Sequence, residues 1–194
     1  MIKVLTPKFR VSYPNVFKAR LNELSSKEEF SLVALFPKNA DLSALKKAVD
    51  QAMTEKWGEE KKRPKGITTP FRDQGERAKE TDGKETMPAG YEKGAVFLNL
   101  KSQRRPGVVD QNLQDIIEET EIYAGAWARA TVSAYAWEFK SAQGAVLKRG
   151  VSFGLLNLQK VSDGDPLVGK SSPQDDFSPI EIADEGASAE ALFK

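Results

Sequence analysis

The stretch Glu121–Ser141, EIYAGAWARATVSAYAWEFKS, decides the fold. From Ala126 to Phe139 it alternates without a break. Ala126, Ala128, Ala130, Val132, Ala134 and Ala136 fall on one side. Trp127, Arg129, Thr131, Ser133, Tyr135, Trp137 and Phe139 fall on the other. A period of two is the signature of a β-strand, whose successive side chains point to opposite faces. The small face suits close packing against a helix or inside a tight barrel. The other face mixes aromatic rings with polar groups and an arginine. A bulge that shifted the faces would instead make Trp127 and Trp137 core anchors.

Further strands lie on both sides of this one. AVLKRGVSFGLLNLQKV follows it, and SAQG between the two predicts a hairpin turn. Upstream, GAVFLNLKS places Val96, Leu98 and Leu100 on one face and Phe97, Asn99 and Lys101 on the other. EEFSLVALFP has Phe30, Leu32, Ala34 and Phe36 on one face, with Val33 and Leu35 also apolar, so it reads as buried on both sides. KFRVSYPNVFKA puts Phe9, Val11 and Tyr13 together on a half-buried strand, and Pro14 marks a bulge or an edge. One clear helix, ADLSALKKAVDQAMTEKWG, has Asp41 as N-cap, Gly58 as its stop, and a stripe of Leu42, Leu45, Val49, Ala52 and Met53. Residues 59–93 are charged and turn-rich and read as a long loop insertion. The expectation is a mainly β protein of five strands and one main helix, in a small mixed barrel or sandwich, the OB-fold among them.

Composition narrows the function. The 194 residues contain no cysteine and no histidine, which removes disulfides, thiol nucleophiles, Ser-His-Asp triads and Cys-based zinc sites. The chain is expected not to be an enzyme and to use neither cofactor nor metal. The one carboxylate group worth weighing for Mg²⁺ is Asp73, Glu76, Glu80 and Asp82; it lies among Arg72, Arg77, Lys79 and Lys84 and reads as a charged loop. No apolar run is long enough for a membrane span, and MIKVLTPKFR lacks the apolar run of a signal peptide, so a cytoplasmic location is expected.

The net charge of +1 conceals a segregation: Val161–Lys194 carries −6, and residues 1–160 carry +7. A basic body with an acidic end points to nucleic acid, a membrane surface or a self-interacting tail. Single-stranded nucleic acid requires flat rings for stacking and cations for phosphates. The stacking candidates are Trp127, Tyr135, Trp137, Phe97 and Tyr91. The phosphate candidates are Arg129, Lys101, Arg104, Arg105, Lys148 and Arg149, with Lys8, Arg10, Lys18 and Arg20 along the first strand.

FRVSYPNVFKA, PFRDQGE, GVVDQN, EIYAGAWARATVSAYAW and GLLNLQKVSDGDPLVGKSSPQDDF, taken in order, resemble the DUF2815 family of bacteriophage single-stranded-DNA-binding proteins, the phage Enc34 type. The resemblance runs from about Phe9 to Phe177. It implies an OB-fold, sequence-independent binding of single-stranded DNA, a role in phage replication or recombination inside the infected bacterial host, and an acidic C-terminal tail. On this reading residues 1–170 form the binding domain and 171–194 a disordered tail, polar and short of core formers. The tail's regulatory or partner-binding points are Asp175, Asp176, Phe177, Asp184, Glu185 and Phe193. Partners are single-stranded DNA, with duplex DNA and replication or recombination proteins also open, and self-association is compatible with the sequence. Two rivals remain at this stage: a replication scaffold with incidental DNA binding, and a carboxylate-dependent nuclease.

Overall fold

The computed structural model describes residues 2–23, 26–81 and 83–167. Its strands and helix are, in order, β1 (Ile2–Leu5), β2 (Phe9–Asn22), β3 (Lys27–Leu35), α1 (Ser43–Trp57), β4 (Ile67–Thr68), β5 (Arg72–Asp73), β6 (Lys79–Thr81), β7 (Lys84–Thr86), β8 (Val96–Ser102), β9 (Gly107–Val109), β10 (Trp127–Lys140) and β11 (Val146–Ser162). The five long strands are those expected. They hydrogen-bond in the order β10-β2-β3-β8-β11, and β10 also pairs β11, so the circuit returns to its start. All its pairings are antiparallel except β8 with β11.

The main core lies within this ring of strands. Phe9, Val11 and Val16 from β2 meet Leu32 and Ala34 from β3, Leu98 and Leu100 from β8, and Val151, Phe153, Leu155 and Leu158 from β11. Phe36, just past β3, packs edge-on against Phe9 with centroids 5.6 Å apart. The small face of β10 allows α1 to approach: Ala128, Ala130, Val132 and Ala134 share this core with Leu45, Ala48, Val49 and Ala52 of the helix. The N-cap of α1 is Leu42, not Asp41; the Asp41 carboxylate, one residue further out, accepts the Ser43 N–H at 2.9 Å. The helix ends at Gly58, whose φ of +83° favours glycine. No helix among the described residues is long and apolar enough to cross a membrane.

Three features depart from the expected pattern. β1 is an additional strand that pairs β10 from Ile2 opposite Ala134 to Leu5 opposite Thr131. Tyr13 is not a core partner of Phe9 and Val11. The register shifts between Ser12 and Asn15, Tyr13 takes φ +45°, and its side chain emerges 65 % exposed. A non-glycine residue in that region costs about 1–3 kcal/mol and persists only where its surroundings enforce it. The long insertion is not a free loop either. It carries β4 to β7, and its Gln74 is buried, donating to the carbonyls of Phe36 and Val96 at 2.9 Å and accepting from the Glu92 N–H at 2.8 Å.

Candidate nucleic-acid interface

The interface begins with the backbone of the β10–β11 hairpin. Its register shifts three times, and in each case the skipped residue lies in β11: Val161, Leu156 and Leu147. The pleat of β10 is therefore unbroken, and its alternation survives from Trp127 to Phe139. Ala128, Ala130, Val132 and Ala134 point inward, while Arg129, Tyr135 and Phe139 are exposed and Trp127 and Trp137 half-buried. In β11 the bulge at Leu156 transfers burial from Val151, Phe153 and Leu155 to Leu158. This puts Ser152 opposite Tyr135, Gly154 opposite Ser133, Asn157 opposite Thr131 and Gln159 opposite Arg129, all on the outer face.

Small residues opposite the rings make seats for them. The Trp137 indole lies over Gly150, where a Cβ would come within 2.7 Å of its Cζ2. Its Nε1–H donates to Ser152 Oγ at 2.9 Å. Tyr135 lies 3.8 Å, ring carbon to the place of an absent Cβ, from Gly154. Partial burial raises the Tyr135 pKa above its ordinary value, against the Ser152 hydrogen bond, so the phenol is neutral at pH 7. The arm is braced from behind: Trp57 at the end of α1 donates its indole N–H to Glu138 at 2.9 Å, which holds the Glu138 carboxyl below its usual range.

Tyr135, Trp137 and Phe139 form one wall of a groove of about 610 Å³. Asn99 and Lys101 of β8 and Glu29 of β3 face them, Ser152 lines it from β11, and Lys148 is placed at the hairpin end. Lys101, half-exposed, reaches the largely buried Glu29 carboxylate at 3.3 Å. Further along the same outer face, Lys8 sits 4.7 Å above the Trp127 ring. Beside it a second cavity of about 440 Å³ is lined by Lys8, Arg129, Gln159 and Lys160. Arg129 is held toward it by Gln159 Oε1 at 2.8 Å. Such an arrangement offers flat rings, fixed cations and neutral hydrogen-bonding groups along one surface.

Several expected residues lie elsewhere. Phe97 does share its face with Asn99 and Lys101, but it is wholly buried there, in a second cluster with Val33, Leu35 and Tyr91. Arg77 and Arg72 lie over its ring at 5.0 and 5.8 Å. No base can reach it. Tyr91 is nearly buried too, its hydroxyl 3.1 Å from Ser12 Oγ, and burial raises its pKa. Arg149 pairs with Glu138 across the hairpin and so shares the inward register, while its neighbour Lys148 pairs with Phe139 on the outer one. Successive strand residues point to opposite faces, and of the two only Lys148 lines the groove. Arg104 and Arg105 are exposed on the turn after β8 and do not line the groove, with Arg105 5.7 Å from the Phe17 ring. Arg10 donates to the carbonyls of Gly125 and Asp165, and Lys18 forms an exposed ion pair with Glu119. Asp175, Asp176, Phe177, Asp184, Glu185 and Phe193 lie outside the described residues. The groove adds Phe139, Ser152 and Asn99, which had not been selected; the small residues two apart in VSFG were the available signal for the opposing wall.

The loop carboxylates have structural work. Asp73 accepts the N–H groups of Gly75 and Gly94 at 2.6 and 3.0 Å and closes a capping box with Glu76; the Gly94 and Gly75 bonds hold its pKa down. Glu76 is paired with Arg72, which lowers its pKa as well. Among the described residues no group of three or more acidic side chains is disposed to hold a metal ion.

A ring of strands carrying a half-buried aromatic wall and cations on its outside defines a mainly β protein with one helix and an external groove. The chain belongs to the Enterobacter phage Enc34 ssDNA-binding protein family, whose model matches residues 2–189. The fold is shared with solved relatives. The single-stranded DNA-binding protein from bacteriophage Enc34 superposes with a TM-score of 0.61 at 20% identity, over 88% of this chain and 86% of that one. The same phage protein in complex with ssDNA gives 0.62 at 18%, over 84% and 88%. The gp2.5 single-stranded DNA-binding protein encoded by bacteriophage T7 gives 0.58 at 12%, over 96% and 98%. No curated protein sequence matches the chain.

Proposed function

We propose that this chain is a non-enzymatic, sequence-independent single-stranded-DNA-binding protein of phage replication or recombination, acting in the host cytoplasm. Its five-strand circuit is read as an OB-fold barrel. Bases stack on Tyr135, Trp137 and Phe139, with the half-buried Trp127 further along the same face. Lys101, Lys148, Arg129 and Lys8 neutralise phosphates. The observation that carries this reading is the unbroken pleat of β10, which turns every ring of that strand away from the core. Family membership and the ssDNA complex of a relative support it.

Residues 171–194 are read as an acidic tail that competes with DNA for the basic groove and offers Phe177 and Phe193 to replication proteins. A tether of this length gives an effective concentration on the order of millimolar. The test is a salt titration of oligonucleotide affinity. Single-strand binding falls with salt by a slope of roughly 0.7 per phosphate neutralised, so Lys101→Ala and Lys148→Ala each lower the slope by about that amount. A chain stopped after Lys170 binds more tightly, most clearly at low salt. A slope near zero for the intact chain refutes the groove; unchanged affinity on truncation refutes the tail's competition.

A further inference from the structure

The exposed Tyr13 has no role in the groove just described. It stands in the left-handed region at φ +45°, the side chain 65 % exposed, at a register shift that lifts it off the core face. It lines a cavity of about 270 Å³ together with Ser12, Asn15, Arg20, Pro88 and Tyr91. That volume equals the share of about nine waters, room for one nucleobase together with part of its sugar. One wall is aromatic, one is proline, and the polar groups are an amide and a guanidinium. A planar, polar-edged ring with a phosphate attached matches this set.

The cavity shares no lining residue with the groove, but strand register links the two. Asn15 lies opposite Ser31, Ser31 opposite Lys101, and Lys101 opposite Gly154, so one outer row crosses β2, β3, β8 and β11. Arg20 lies opposite Glu29, which itself lines the groove. Two strand spacings, about 10 Å, separate Asn15 from Lys101, a span of roughly three stacked nucleotides at 3.4 Å each.

We infer that Tyr13, Asn15 and Arg20, against Tyr91 and Pro88, form a second nucleobase pocket on this protein, which takes a base of the same single strand that lies in the aromatic groove. The inference rests on the DNA-binding reading above. The strand then crosses β2, β3 and β8 rather than following β10 alone, and the positive φ of Tyr13 presents its ring to the base.

Irradiation of the intact chain with a long oligothymidylate carrying 5-iododeoxyuridine, followed by peptide mapping, tests it. The expected crosslinks fall on the peptide of Tyr13 as well as on that of Tyr135 and Trp137. Tyr13→Asn removes the ring but keeps a residue that tolerates positive φ; it lowers affinity about tenfold with an unchanged melting temperature, while Tyr13→Phe retains affinity. Arg20→Ala lowers the salt slope by roughly 0.7. Crosslinks confined to β10, with Tyr13→Asn within twofold of wild type, overturn the pocket and leave the DNA-binding reading standing. An intact chain that binds no single-stranded DNA overturns both.

Discussion

Gly150→Ala tests the outer face where its geometry is tightest. The added Cβ would lie 2.7 Å from Trp137 Cζ2, 2.9 Å from the Thr68 carbonyl oxygen and 3.1 Å from Thr68 Cβ. Carbon atoms in contact settle at about 3.5–4.0 Å, so the indole must retreat by nearly an ångström. Thr68 cannot yield as easily, because β4 is fixed to β11 by the pairing of Gly150 with Thr68. A retreating indole also leaves Ser152 Oγ, now 2.9 Å from its Nε1. Overpacking costs about 1–3 kcal/mol and the lost hydrogen bond about 1 kcal/mol. A total of roughly 2–4 kcal/mol lowers the melting temperature of a chain this size by roughly 4–16 °C. Thermal unfolding followed by tryptophan fluorescence reads both the melting shift and the changed indole environment. Affinity for single-stranded DNA should fall by about tenfold through the displaced stacking ring. Trp137→Ala in the same background should recover part of the stability, since one of the clashes disappears, but none of the affinity. A Gly150→Ala protein with wild-type melting and binding would refute both the seating of Trp137 and its place in the interface.

Gln74→Leu should strand the Phe36 carbonyl and the Glu92 N–H that Gln74 now serves, at a cost of about 2–4 kcal/mol; urea unfolding with an unchanged midpoint would show that the insertion is not anchored there. Asp163 is held below its ordinary pKa by Lys160 and Tyr123. Its contribution to stability is therefore full above the ordinary aspartate value and is lost as pH falls through the lowered folded one. Melting temperatures of wild type and Asp163→Asn should differ at neutral pH and converge in acid, and a gap that persists in acid would contradict the pairing.

How much of this was legible depended on whether the deciding event was local. The faces of β10 were legible because every bulge of the hairpin falls in the partner strand, so fourteen residues keep one pleat. β11 was not: Leu155, Leu156 and Leu158 look alike in sequence, and only the pairing shows that Leu156 is the extra residue. Pro14 did announce a bulge, but the direction in which Tyr13 leaves the strand is a backbone outcome that no side-chain pattern encodes. Lys148 and Arg149 could have been separated from sequence alone, because neighbours on a strand diverge.

Phe97 shows where sequence reasoning of this kind ends. Alternation put it correctly opposite Leu98 and Leu100, with Asn99 and Lys101. Whether that face meets solvent was decided by residues far from it in the chain. Met87, Tyr91 and Leu167 cover the Phe97 end of the face, and the buried Gln74 ties the strand end to the covering loop through Val96 and Glu92. The same sheet face is therefore core at Phe97 and groove at Lys101, four residues along one strand. The insertion is what divides them: its Met87 and Tyr91, with Leu167 from beyond it, close the Phe97 end of the face and leave the Lys101 end open beside the aromatic wall of β10.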